Sequence, residues 1–136
     1  MVIATKGGLR TDGDHLVRDA SREWLRSGAE SSLQHLGTDY IDIYQLHWPD
    51  LHTPPDETGA ALEELIAEGK IRHAGVSNYD AEQMQALGRF GRVETLQPPY
   101  TCSAGTSRRA SCPTPPGTTS ACWCTDRWRT VCSPAR

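Results

Sequence analysis

Apolar positions recur along the first hundred residues in two alternating rhythms. Met1 to Thr5 is a short apolar run that ends in Lys6 and the turn residues Gly7 and Gly8, which predicts a strand. From about Asp19 to Leu36 the rhythm changes. Leu25, Ala29, Leu33 and Leu36 follow at steps of four, four and three, one apolar stripe of a helix. Ser21, ahead of Glu23 and Trp24, suits its start, and Gly37 its stop. Tyr40 to Leu46 is rich in β-branched and aromatic residues and predicts a buried strand that ends on His47. Pro49 closes it, because proline brings no N–H and restrains Trp48 before it. A Pro-containing loop over Leu51 to Asp56 carries His52 on its surface.

A second helix is predicted over roughly Glu57 to Glu68. Leu62, Leu65 and Ile66 share one face, Glu63, Glu64 and Glu68 the other, and Gly69 ends it. Lys70 to Tyr79 reads as a turn, a strand and a polar strand end. Asp80 caps a third helix from about Ala81 to Arg89, with Met84 and Leu87 facing inward. Val93 to Gln97 is a fourth short strand, ended by Pro98 and Pro99. The segment from Thr11 to Asp19 is polar and reads as a loop. Its Asp12, Asp14 and His15 match no metal-ligand spacing and are expected to be solvated.

The order β-α-β-α-β-α-β defines an α/β fold. Strands joined by single helices run parallel, with right-handed crossovers. Each strand finishes in something polar: Lys6, His47, Ser77 with Asn78, and Gln97. A lysine at a strand end is ordinarily a solvated charge, and a single histidine there ordinarily a structural one. Parallel sheets and barrels gather their carboxyl ends on one rim, where chemistry is done. Four polar ends on one rim are hard to explain by packing, and they point to a site.

Composition sharpens this picture in one place. The net charge of −3 and the lack of a basic face exclude a nucleic-acid partner. No apolar run is long enough to span a membrane, and the start lacks a charged segment followed by an apolar one, so a cytoplasmic protein is expected. Near Tyr100 the character changes. The first hundred residues carry nine basic and sixteen acidic side chains, the rest five arginines and one aspartate. All five cysteines lie after the break, at 102, 112, 122, 124 and 132, and that tail contains no Leu, Ile, Glu or Lys.

Several stretches resemble the aldo-keto reductases, NADP(H)-dependent enzymes built on the (β/α)8 barrel. They are the strand with Lys6, then Glu30 to Asp42 running on to His47-Trp48-Pro49-Asp50, then Gly69 to Arg72 with Gly75 to Tyr79, and finally Gln97 to Tyr100. They occur in the family's order and cover nearly all of residues 1–100. The resemblance implies a partial TIM barrel, strands three to six with their helices. It implies reduction of a small-molecule aldehyde or ketone, or the reverse alcohol oxidation, with NADP(H).

The family's catalytic tetrad is Asp, Tyr, Lys and His. Lys6 matches its lysine and His47 its histidine. The tyrosine delivers a proton to the carbonyl oxygen, and a phenol of pKa ~10 is a poor acid at neutral pH. A nearby ammonium lowers that pKa, the role implied for Lys6. His47 is expected to hydrogen-bond the carbonyl oxygen and orient the substrate. Ser77, Asn78 and Gln97 match the residues that hold the nicotinamide carboxamide, which needs donors and acceptors without added charge. No metal is implied. The family's aspartate and tyrosine precede the lysine, and neither Tyr40, Tyr44 nor Asp42 matches them. The chain is therefore expected to be truncated before the third strand and inactive alone. The late strands and the loops for pyrophosphate and 2′-phosphate have no counterpart either.

Residues 101–136 are expected to be a non-homologous, disordered and irregular tail produced by a frameshift. Cys and Trp codons both begin TG. Joining the last base of each codon to the first two of the next turns every Cys or Trp into Leu, Val or Met. With suitable third bases, Ala121 to Ala135 becomes Val-Leu-Val-Tyr-Gly-Pro-Leu-Ala-His-Gly-Leu-Leu-Ser-Gly, close to the family's seventh strand and its loop. Two rival readings are a non-catalytic binding or regulatory subunit and a Cys-rich metal-binding remnant. The cysteine spacing fits no common zinc pattern, and disulfides conflict with a cytoplasmic enzyme.

Overall fold

The computed structural model describes residues 1–98 and 121–122. Strand β1 (Ala4–Gly7) is followed by a hairpin, β2 (Leu9–Asp12) and β3 (His15–Arg18). Then come helix α1 (Arg22–Leu36), β4 (Ile41–Leu46), α2 (Pro55–Ala67), β5 (Ile71–Ser77), α3 (Ala81–Leu87) and β6 (Thr95–Gln97). A two-residue strand, β7 (Ala121–Cys122), lies beyond them. The main sheet has the order β1-β4-β5-β6-β7, and each neighbouring pair is parallel. This is the α/β arrangement expected of a partial barrel.

The first connection departs from expectation. Thr11 to Asp19 is no loop: most of it forms the antiparallel β2–β3 hairpin, paired from Leu9 with Arg18 to Asp12 with His15. Gly13, at φ 61°, opens its two-residue turn, where a positive φ matches the strand twist. The segment is polar because both strands are largely exposed, so alternation gave no signal. Other differences are at boundaries. β1 starts at Ala4 rather than Met1, and α1 at Arg22 rather than near Asp19, with Ser21 as its N-cap. β7 is a short strand in the tail where irregular chain was expected. The remainder of the tail, with its expected disorder and Cys102, Cys112, Cys124 and Cys132, lies outside the described residues.

The core sits between the sheet and its helices. Leu25 and Ala29 of α1, Leu62 and Leu65 of α2 and Leu87 of α3 pack on Tyr44, Leu46, Ala74, Val76 and Leu96. Tyr44 is fully buried, and its hydroxyl donates to the Leu25 carbonyl at 3.2 Å. A Cβ on Gly7 would collide with that hydroxyl, so the glycine turn after Lys6 makes room for it. Outside, Arg26, Glu30, Glu68 and Lys70 form an exposed ion-pair network between α1 and the end of α2. Exposed pairs contribute little individually, and here they fix alignment more than stability.

Candidate active site

Side chains alternate across a strand, so register decides what meets at the rim. In β4, Tyr44 and Leu46 face the helices, which turns Ile43, Gln45 and then His47 to the other face. Lys6 is paired in register with Gln45, Gln45 with Gly75, and Gly75 with Thr95. One step further along, Ser77 is paired with Gln97, level with His47. Two adjacent rows therefore cross the sheet on one face. The lower holds Lys6, Gln45, Gly75 and Thr95, and the upper holds His47, Ser77 and Gln97.

The backbone extends this order beyond the strands. The His47 N–H donates to the Gly7 carbonyl at 2.9 Å, and the Asn78 N–H to the Gln97 carbonyl at 3.2 Å. Asn78 has φ 61°, a left-handed conformation that asparagine tolerates better than most residues. That conformation lets its Nδ2 donate to the His47 carbonyl at 2.9 Å and to Ser77 Oγ at 3.1 Å. The ends of β4 and β5 are thus joined through one side-chain amide.

The electrostatics follow from the positions. Partial burial of Lys6 holds its ammonium below the ordinary lysine pKa. Partial burial of His47, and secondarily the field of Lys6, push the imidazole below its usual value. The two groups are close enough to sense each other, and His47 is neutral at pH 7. The described tyrosines are placed otherwise. Burial pushes the phenols of Tyr44 and Tyr79 upward, opposite to what a proton donor needs, and Tyr40 lies under the Arg72 guanidinium at 3.8 Å.

An uncharged amide ligand fits the upper row. Gln97 is half-buried, its side chain makes no hydrogen bond among the described residues, and Asn78 Oδ1 is likewise uncommitted there. Ser77 is only 2% exposed, its hydroxyl already engaged by Asn78. Sequence reasoning missed Gln45 and Thr95. Gln45, 5% exposed, stands beside Lys6 in the lower row, two residues before His47, a step of two that marks one strand face. Thr95 Oγ1 is buried with no hydrogen-bond partner among the described residues, and a Cβ on Gly75 would collide with it. Among the described residues no three His, Cys, Asp or Glu side chains are placed to hold a metal, and no helix is long and apolar enough to cross a membrane.

Comparison with known proteins bears on this arrangement. The sequence profile of the aldo/keto reductase family matches residues 1–111. The chain belongs to that family. It is 44% identical over 100 residues to the aldo-keto reductase YhdN of Bacillus subtilis, covering 74% of this chain and 30% of the relative. It is 43% identical over 105 residues to an NADH-specific methylglyoxal reductase of Escherichia coli, covering 74% and 32%. Among solved structures, a glycerol dehydrogenase from Gluconobacter oxydans superposes with a TM-score of 0.75 at 37% identity, over 79% of this chain and 35% of that one. An aldo/keto reductase from Klebsiella pneumoniae, solved with NADP and acetate, gives 0.64 at 38% identity, over 79% and 36%.

The aldo/keto reductase chain described here thus spans about a third of the length of the curated relatives it matches. The family is one of oxidoreductases that use nicotinamide cofactors and act on small carbonyl compounds. The relatives differ in cofactor: one is NADH-specific by name, and another was solved with NADP.

Proposed function

We propose that this chain carries the lysine–histidine half of a cytoplasmic NADP(H)-dependent reductase of small aldehydes or ketones. The observation that carries this reading is the pair Lys6 and His47, on one face at adjacent strand ends, where partial burial and secondarily the Lys6 field lower the His47 pKa. A neutral imidazole keeps one N–H, and His47 uses it to hydrogen-bond and orient the carbonyl oxygen. Lys6 remains an ammonium at neutral pH. Partial burial strengthens its field, which favours the ionised form of an acid beside it and readies that acid to release a proton.

Gln97, Asn78 Oδ1 and Ser77 would hold the carboxamide of the nicotinamide, and the bound nicotinamide supplies the hydride for carbonyl reduction. Ser77 acts mainly through Asn78, whose donor it shares with the His47 carbonyl. Residues 1–136 contain no match to the family's proton-donating tyrosine. This polypeptide alone is therefore expected to turn over below detection.

The test is NADPH and NADH titration of the purified 136-residue protein, followed by amide and ring resonances, together with an assay on 4-nitrobenzaldehyde. Shifts at His47, Asn78 and Gln97 without turnover are expected. No shift at those residues overturns the binding role, and measurable NADPH-dependent reduction overturns the predicted inactivity.

A further inference from the structure

The residues that follow His47 are held from outside the sheet. Arg18, the last residue of β3, places its guanidinium carbon 5.0 Å from the centre of the Trp48 ring. Its Nη1 also donates to the Pro49 carbonyl at 3.3 Å. Asp50, next in the chain, accepts from the Ala20 N–H at 3.0 Å through Oδ2. The Ala20 carbonyl accepts from the Thr58 hydroxyl at 3.0 Å, which ties the same point to α2. The hairpin is anchored in turn. The Asp19 N–H donates to the Gly8 carbonyl at 3.1 Å, and Trp24 Nε1 donates to the Leu9 carbonyl at 3.1 Å. Three consecutive residues after His47 are thus gripped by two residues at and just beyond the end of the hairpin, Arg18 and Ala20.

The grip has an unequal design. Asp50 is tethered by hydrogen bonds alone, also accepting from the His52 N–H and the Thr53 hydroxyl. Trp48 is 39% exposed, and the one described cation over its ring is Arg18. A large half-exposed ring directly after His47 has many accessible rotamers, and a guanidinium stacked on it selects one. The planar fork reaches the ring and the neighbouring carbonyl together, which a point charge cannot do as well.

We infer that Arg18 is a positioning residue of the proposed carbonyl site: through the Trp48 ring and the Pro49 carbonyl it fixes the peptide on which His47 is presented. The inference rests on the functional reading of His47 above. The hairpin is then a brace for the rim rather than a mere detour between β1 and α1.

The test follows the His47 ring by NMR through a pH titration of the whole chain, with His47→Gln assigning the signal. Arg18→Gln is expected to raise the His47 midpoint toward 6.5, as the imidazole loosens into solvent. Trp48→Leu, which leaves the arginine charge in place, is expected to raise it too. The double variant should shift it by less than the sum of the two single variants, because both act on the same peptide. Arg18→Lys should give an intermediate midpoint. Arg10→Gln, which breaks the Arg10–Asp19 ion pair in the same hairpin, should leave His47 where it was.

An unchanged midpoint in Arg18→Gln overturns the inference. So does a shift in Arg18→Gln without one in Trp48→Leu, which would make Arg18 a bare charge. Equal shifts in Arg18→Gln and Arg10→Gln would reduce the effect to hairpin stability and overturn it as well. If Arg18→Gln does not fold, Trp48→Leu and Arg18→Lys decide the matter. NADPH titration of the same samples reports the functional reading separately, because the His47 midpoint needs no ligand.

Discussion

Asn78 donates its side-chain amide to the backbone carbonyl of His47, 31 residues earlier, at 2.9 Å. The bond joins the two strand ends that carry the proposed carbonyl and nicotinamide contacts, and it requires φ of 61° at Asn78. Two substitutions separate the bond from the backbone conformation. Asn78→Gly loses the bond but suits the left-handed region. Asn78→Ala loses the bond and adds strain of roughly 1–2 kcal/mol per such residue. Urea denaturation is expected to rank them wild type, Gly, then Ala, with Ala lower than Gly by about 1 kcal/mol. Equal stability of the two variants would contradict the strain argument.

Gly75 lies between Gln45 and Thr95 in the lower row. A Cβ there would stand 3.2 Å from Gln45 Cγ and 3.0 Å from the Thr95 carbonyl, besides colliding with Thr95 Oγ1. Gly75→Ala should therefore destabilise by about 1–3 kcal/mol, the usual cost of overpacking. Thr95→Ala removes a buried hydroxyl that has no partner among the described residues, so it should be nearly neutral and should recover part of the Gly75→Ala loss. Thermal melts of the two single variants and the double variant measure that recovery, and simple additivity would refute it.

Asp50 accepts hydrogen bonds from the Ala20 N–H, the His52 N–H and the Thr53 hydroxyl. Desolvation works to raise its pKa, but these bonds prevail and hold the carboxyl below its ordinary value. Replacing it with alanine leaves the buried Ala20 N–H unpaired, and a loss of about 2–4 kcal/mol is expected by denaturant titration. Asp50→Asn keeps one acceptor and should lose less.

His47 and Asp50 each open an acid window in the stability. The folded state depresses the His47 pKa, so below about 6.5 the unfolded chain binds a proton that the folded chain resists. Stability should fall as pH drops through that region and then level off at the folded pKa. A second loss begins below 3.8, where Asp50 is protonated first in the unfolded chain. His47→Gln should abolish the first window and leave the second. Denaturation midpoints from pH 7.5 to pH 3 test this, and an unchanged first window would argue against a partly buried neutral imidazole.

The coding DNA supplies a separate check. Ala121–Cys122 pairs parallel with β6, and the expected shift of reading frame would make that stretch read like the family's seventh strand. Sequencing from upstream of codon 1 to beyond codon 136 is expected to reveal a missing base near codon 100. A confirmed reading frame would make the cysteine-bearing tail a genuine product, to be tested for zinc by mass spectrometry.

The parts of the fold that could be read in advance are those governed by local rules. α1 and α2 each declare an apolar stripe and a terminal glycine, Gly37 at φ 63° and Gly69 at φ 73°. β4 declares itself by its run of β-branched and aromatic residues before Pro49. The hairpin was not legible, because both its strands face solvent and show no alternation. Gln45 lies in plain sight two residues before His47, yet inside an apolar run it reads as an exception rather than as part of a row. The latch between Arg18 and Trp48 depends on residues thirty positions apart, which no period in the chain connects. Asn78 was legible as a polar strand end, but its left-handed backbone belongs to the tertiary fold.

The sheet order has a consequence for how the chain assembles. From β4 to β6, every strand of the sheet lies beside the strand that immediately precedes or follows it in the main β–α series. A growing polypeptide can therefore settle each β–α unit against the one just made, without waiting for distant partners. Short loops between units keep the closure entropy of each step small. The Lys6–His47 neighbourhood is complete once β4 has docked on β1, whereas the Ser77–Gln97 row must await β6. During synthesis the Lys6–His47 pair would thus be in place before the proposed carboxamide contacts exist.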